Sequence, residues 1–357
     1  MLRKVIFVSF YAIVVFWLSS CVLKQQGTFF GEVNIGTNSN DIVIYYEGEN
    51  TNCLFYSFQD FYNSQLGDSD KSTFSDSFSL NFTVFGGKVY VINRISNVIK
   101  LISVEGKRSY LEGVFPYPQG VIGVSDFAIN DKKEIGFLFI SGESEEGEFY
   151  KFGYSLLNYS NGVSNLVVFN DIVFTNVFAF EPFESGFLVF ERGDDGRLIV
   201  SSLSSEGRTL YIDLNQYTDS VNGLFVSSAT VLKGRKIAAK FEDPTNYTTS
   251  TIVVFNLSKT NLEKVSKINV GNENFSLVSS VNDSYLLAAT FKNNAPSVIM
   301  FDPMSDFKIS YEYYIDLMYP SMFRGFKITK NGKIFTSYVD FPDNKVLFYS
   351  WNILSRL

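Results

Sequence analysis

Histidine is absent from all 357 residues. Its absence removes Ser-His-Asp and Cys-His nucleophile systems, and imidazole-ligated zinc, copper or non-haem iron. Carboxylate, Lys, Tyr or Ser/Lys chemistry and oxygen-ligated calcium are what remain. Cysteine occurs only at 21 and 53, too few for a framework of several disulfides. Basic residues are the minority, 30 against 37 acidic, giving a formal net charge of -7, and no Lys/Arg run concentrates them. Phosphate recognition rests on a basic footprint, so nucleic acid is not an expected partner. No linker, low-complexity run or helical period interrupts residues 41–351, which therefore read as one domain.

A long apolar run is missing too. The longest, residues 5–18, follows Arg3 and Lys4; it is short for a membrane span and suited to a signal-peptide core. Its tail, Leu18-Ser19-Ser20-Cys21, resembles the lipobox of bacterial lipoproteins, in which the cysteine thiol is acylated before cleavage just ahead of it. The resemblance implies a signal peptide over residues 1–20 and a lipid on Cys21. Cleavage would leave 28 basic against 37 acidic residues, a net charge of -9. Cys53 would then be the one remaining thiol, expected as a small buried hydrophobe. Residues 21–27 would form a tether too short to project a domain, which suits a membrane-apposed, periplasmic location.

What the chain has in abundance is aromatic side chains, 17% of residues with 37 Phe and 21 Tyr. They fall in a recurring unit clearest at residues 332–351, GKIFTSYVDFPDNKVLFYSW, where two β-branched and aromatic runs flank a polar turn. The unit begins again at Asp41, Lys88, Glu134, Gly186, Arg235 and Ser284, at steps of 47, 46, 52, 49, 49 and 48 residues. A period of roughly 40–50 residues with several short strands per unit is that of a β-propeller. The expected fold is therefore all-β, a seven-bladed propeller of four-stranded antiparallel blades over residues 28–357. Its wedge-shaped gaps between blades account for the aromatic excess as core packing.

One further strand precedes each hairpin, at residues 82–85, 124–130, 174–180, 226–232, 275–281 and 323–329. Another follows, at 107–113, 162–169, 208–214, 262–270 and 307–315. These supply the inner and outer strands of each blade. The last hairpin lacks an outer strand of its own. Residues 28–35 could supply it or could be the inner strand of the first blade, and spacing favours the inner strand.

Chain order also sorts the turns. Those joining second to third strands are acidic, as at Glu145, Glu146, Asp194, Asp243 and Asp343, and should share one face with the crossings between blades. The turns of the opposite face are mostly basic, as at Lys107, Arg108, Lys132, Lys133, Arg235 and Lys333. Gly193-Asp194-Asp195-Gly196 lacks the further acidic ligands of a calcium loop and reads as a tight hairpin turn. No metal or cofactor is expected.

Two crossings are apolar and rigid, residues 114–118 (VFPYP) and 318–323 (MYPSMF). Aromatics and Met concentrate at interface hot spots and proline lowers the ordering cost of a loop. Phe115, Tyr117, Tyr319, Met322 and Phe323 are thus candidate partner contacts, with core packing under neighbouring blades the alternative.

Residues 298–309 (VIMFDPMSDFKI) and 252–265 (IVVFNLSKTNLEKV) resemble the repeat of quinoprotein-like propellers, without that family's glycine-then-tryptophan docking pattern, so cofactor binding does not carry over. As an exported propeller with a lipobox, the chain resembles the propeller lipoprotein subunit of the outer-membrane barrel-assembly machinery, and its Phe, Asn, Ser and Tyr bias resembles spirochaetal lipoproteins. That implies a non-catalytic scaffold, lipid-anchored to the outer membrane facing the periplasm, with an envelope protein as partner. The competing class is a small-ligand or cation binder, or a hydrolase, using axial carboxylates such as Asp126 or Glu181.

Overall fold

In a computed structural model, the described residues are 27–35, 40, 82–95, 98–116, 118–119, 121, 123–143, 150–160, 163–194, 196–212, 224–232, 234–243, 250–258, 261–271, 275–281, 285–292, 295–302, 308–314, 323–329, 331–340 and 342–352. They form strands and no helix. Strand β1 (Thr28–Asn34) comes first. Five runs of four strands follow, each a meander in which consecutive strands pair antiparallel. These are β2 to β5 (Phe82–Phe85, Lys88–Ile95, Val98–Glu105, Arg108–Pro116), and β6 to β9 (Gly123–Ile129, Ile135–Glu143, Tyr150–Ser160, Val163–Thr175). Next are β10 to β13 (Val177–Phe183, Gly186–Arg192, Leu198–Ser204, Gly207–Ile212), and β14 to β17 (Phe225–Leu232, Lys236–Glu242, Ser250–Ser258, Asn261–Gly271). Then come β18 to β21 (Ser276–Val281, Tyr285–Lys292, Ala295–Asp302, Lys308–Tyr314). The chain ends on β22 to β24 (Phe323–Ile328, Lys333–Asp340, Lys345–Asn352).

This is a propeller-like architecture, and its burial grades outward as that packing requires. Second strands are buried on both faces, which is why their sequences are continuously apolar: β11 (GFLVFER) and β23 (KIFTSYVD) are buried through their centres. The outermost strand β5 instead alternates between exposed and half-buried side chains, since only one of its faces meets a neighbour. Shared apolar cores join successive sheets. Ile92, Ile99, Leu101 and Phe115 pack with Phe127, Ile135 and Phe137, and Tyr154 and Phe174 with Phe180 and Phe187. Phe190 and Val200 meet Ile237 and Phe255, and Ile252 and Ala238 meet Phe275 and Phe301.

The sheet at the chain's end has the order β1-β24-β23-β22, so residues 28–34 are its outermost strand. The expectation that residues 28–35 form an inner strand is therefore corrected. Thr28 stands opposite Ser350 and Asn34 opposite Lys345, which pairs the first described strand with the last and covers the outer edge of β24. The apolar face of β1 decides the matter: Val33 packs with Val346 and Phe348, and the same core takes in Phe82, Val89, Val91 and Val104 of the β2–β5 sheet. Phe82 and Phe348 meet edge to face at 5.5 Å. The first expected hairpin, from Asp41, lies outside the described residues, as do Cys21 and Cys53. Six four-stranded units are described where the spacing suggests seven.

Candidate functional site

Inner strands converge on the axis, and the two axial carboxylates singled out in the sequence both lie on them. Asp126 sits on β6, 4% exposed. Its Oδ1 accepts a hydrogen bond from the Phe127 amide at 2.8 Å, and its Oδ2 lies 3.9 Å from the Lys327 ammonium on β22. Burial pushes the Asp126 carboxyl above the usual range, against the pull of the Lys327 charge and of the Phe127 amide. Lys327 is a partner that sequence reasoning missed. It stands about 200 residues away in the chain, and only the ring brings it to Asp126. Glu181, on β10, spends its Oε2 on the Val231 amide of β14 at 3.1 Å, a tie between adjacent inner strands.

Two further buried ionic groups, Glu191 and Lys240, also join neighbouring sheets, as does the exposed Arg235–Glu184 pair. Glu191, at the end of β11, accepts from the Thr175 amide at 3.1 Å and from Arg208 at 3.1 Å. Arg208 itself lies over the Phe174 ring at 4.8 Å. Burial again raises the carboxyl, with the Thr175 amide, Arg208 and Ser201 opposing it. Lys240 on β15 is fully buried; its ammonium donates to Glu242 and, at 2.7 Å, to the Phe275 carbonyl ahead of β18. Arg235 clasps Glu184 through contacts of 3.0 and 2.9 Å. Among the described residues no group of three or more His, Cys, Asp or Glu side chains is placed to hold a metal ion.

The predicted partner contacts fare unevenly. Phe115 belongs to β5 rather than to a crossing and is 2% exposed, packed in the core between the β2–β5 and β6–β9 sheets. The alternation of an outer strand explains it: Val114, 49% exposed, and Pro116 point away while Phe115 points in. Core packing, the alternative reading, is thus the role of Phe115, and it is not available to a partner. Tyr117, Tyr319 and Met322 lie outside the described residues. Phe323 opens β22, its backbone opposite Tyr338. What the structure exposes instead is apolar side chains on outermost strands: Phe29 on β1, Tyr110 and Val114 on β5, Val167 and Val173 on β9, Leu210 on β13 and Val265 on β17. Period-2 alternation could have found them, had the strands been known to be outermost.

No protein-family model matches the chain. No curated protein matches its sequence. Among solved structures it is similar to the PQQ-bound aldose sugar dehydrogenase of Streptomyces coelicolor, at 11% identity over 77% of this chain and 94% of that one, with a TM-score of 0.37. It is also similar to hydrazine synthase of Kuenenia stuttgartiensis, at 8% identity over 72% of this chain and 75% of that one, TM-score 0.44. A third similar structure is a functionally unknown protein of Desulfotomaculum acetoxidans, at 12% identity over 73% and 79%, TM-score 0.45.

Proposed function

We propose that the chain is an envelope lipoprotein, matured at Cys21, that holds a propeller against the outer membrane from the periplasmic side. There it serves as a non-catalytic scaffold for a protein partner in outer-membrane protein assembly. The observation that carries this reading is the place of β1. The strand that closes the last sheet starts at Thr28, so an acyl group on Cys21 would be tied to the rim with residues 22–27 as the whole tether. The direct packing of Val33, Val346 and Phe348 on Phe82 and Val89 further supports a ring of six blades rather than seven.

A second reading, a small-ligand site on the axis, is favoured by the Asp126–Lys327 pair, with Lys327 half-exposed beside a buried carboxylate. Opposite charges 3.9 Å apart suit a zwitterionic or anionic small molecule better than a bare cation.

Palmitate labelling with intact-mass analysis tests the anchor, and crosslinking in intact cells with parallel protease shaving tests the scaffold. Acyl mass on Cys21, protection from shaving and crosslinks to a large outer-membrane barrel are expected. An unacylated N-terminus overturns the anchor, and recovery of the lipoprotein alone after crosslinking overturns the scaffold. Binding heat from a zwitterion panel that vanishes in Asp126→Asn would move the assignment to the axial site.

A further inference from the structure

The register of β1 determines where the chain ahead of it meets the molecule. Thr28 stands opposite Ser350, and in the neighbouring pair Lys333 stands opposite Asn352. Thr28 is therefore at the end of the sheet that carries the β22–β23 turn, whereas Asn34, opposite Lys345, is at the end of the β23–β24 turn. Gly27 is pressed against the last strand, since a Cβ there would come within 2.7 Å of the Trp351 indole. Neighbouring sheets meet in parallel at their outer strands: Gly31 of β1 bridges Gly106 in the β4–β5 turn, and Ile212 of β13 pairs with Asn261 of β17. Among the described residues, one face thus collects the turns joining first to second and third to fourth strands, and the chain enters β1 from that same face.

That face is basic in a chain whose net charge is -7. Among the described residues its turns carry Lys107, Arg108, Lys132, Lys133, Lys236 and Lys333, all exposed or half-buried. Its turn carboxylates, among the described residues, are Glu105, Asp131, Glu134, Glu184 and Glu206, and Glu134 is buried and accepts from the Asn130 side-chain amide nitrogen at 2.8 Å. Two of these are already matched by other cations, Glu105 by Lys88 at 3.7 Å and Glu184 by Arg235 at 2.9 Å. Six cations therefore stand against three carboxylates, of which Glu134 is only 8% exposed. At the rim of the same face, near the starting ends of β1 and β5, Phe29 and Tyr110 are 37% and 43% exposed. A basic surface edged with exposed aromatic rings is the composition that an interfacial membrane contact uses.

We propose that this face docks flat on an anionic lipid bilayer, with the opposite, acidic turns directed away from it. The inference rests on the reading of Cys21 as the lipid site for the direction of approach, and the test separates the two. The protein as purified from its own membranes, with whatever N-terminal processing the cell gives it, is placed in phosphatidylglycerol-containing and in pure phosphatidylcholine vesicles. Lysine acetylation and carboxyl labelling are then mapped by mass spectrometry. Acetylation of Lys107, Lys132 and Lys333 is expected to fall roughly fivefold on the anionic vesicles, the Boltzmann factor for one lysine at such a surface. It should recover at high salt, while labelling of Asp194 and Asp343 on the other face stays unchanged. The variant Lys107→Glu/Lys132→Glu/Lys236→Glu should lose the protection of Lys333 with its thermal midpoint intact.

Equal acetylation on both lipids, or protection of Asp343, overturns the proposal. So does protection of the same lysines in intact cells but not on vesicles, which would identify an acidic protein as the occupant. Intact mass of the same sample reads the anchor separately. Lysine protection without acyl mass supports the face while removing the lipoprotein reading, and acyl mass without protection keeps the anchor and removes the face.

Discussion

Lys240→Met tests what holds one sheet to the next. The side chain is fully buried, its ammonium shared between Glu242 and the Phe275 carbonyl and 4.2 Å from the centroid of the Phe275 ring. Methionine keeps the apolar stem, so little cavity is made. What changes is charge: a carboxylate only 8% exposed is left without its cation, beside a carbonyl oxygen that also lacks its donor. Removing one partner of a buried pair costs about 3–5 kcal/mol. The accessible edge of Glu242 places the expected loss near the lower end of that range. In Lys240→Met/Glu242→Leu the stranded charge is gone and the orphaned Phe275 carbonyl remains, a cost of about 1–2 kcal/mol. The double variant is therefore expected to be more stable than the single one. Urea unfolding followed by far-ultraviolet circular dichroism and by Trp351 fluorescence reads both, with the slope against denaturant unchanged. Additive losses in the double-mutant cycle, or a single variant as stable as the parent, would refute the reasoning.

Three further outcomes follow from the packing. Phe115→Ala should cost about 3–5 kcal/mol, whereas Val114→Ser beside it on the exposed face should stay within about 0.5 kcal/mol; chemical denaturation compares them, and a harmless Phe115→Ala would restore that ring as a surface contact. Gly31→Val would drive its Cβ to 2.4 Å from the Gly106 carbonyl oxygen, so β1 should detach from its neighbour and its residues become protease-sensitive, while parental protection would count against the closure. Asp126 has an ordinary value of 3.8, raised in the fold, so its neutral form is favoured on folding. Its contribution is then present in full below 3.8 and lost as pH rises through the raised value. Asp126→Asn should accordingly be more stable than the parent at pH 7 and lose that advantage in acid, and a pH-independent difference in melting temperature would show that burial is not the cause.

Hairpins were legible because each is a local pattern: two β-branched runs and a turn suffice, and the units from Lys88, Glu134, Gly186, Arg235, Ser284 and Gly332 all appear as paired strands. Boundaries of the flanking strands shifted where the chain does not mark them. Residues 174–180 read as an inner strand, yet Val163–Thr175 continues through the start of that run and the inner strand is Val177–Phe183, since nothing in FTNVFAF distinguishes outer from inner. The candidate site was legible only in part. Asp126 and Glu181 were found because a carboxylate in an apolar strand stands out, but Lys327 and the Val231 amide, which occupy them, are brought there by ring closure. Phe115 was misplaced because an apolar residue just ahead of a proline looks the same in a loop and at the end of an outer strand.

By itself, then, the sequence determined that this is an all-β chain of repeated antiparallel units, that imidazole chemistry is excluded and that basic and acidic turns alternate along it, because each of these depends on residue type and near-neighbour spacing. Tertiary structure alone decided which strand closes the last sheet, which carboxylate meets which cation, which aromatic ring is core and on which face the N-terminus leaves. Those depend on contacts between residues far apart in the chain, as Thr28 is from Ser350 and Asp126 from Lys327, and such contacts are selected by the fit of whole sheets rather than by any local preference.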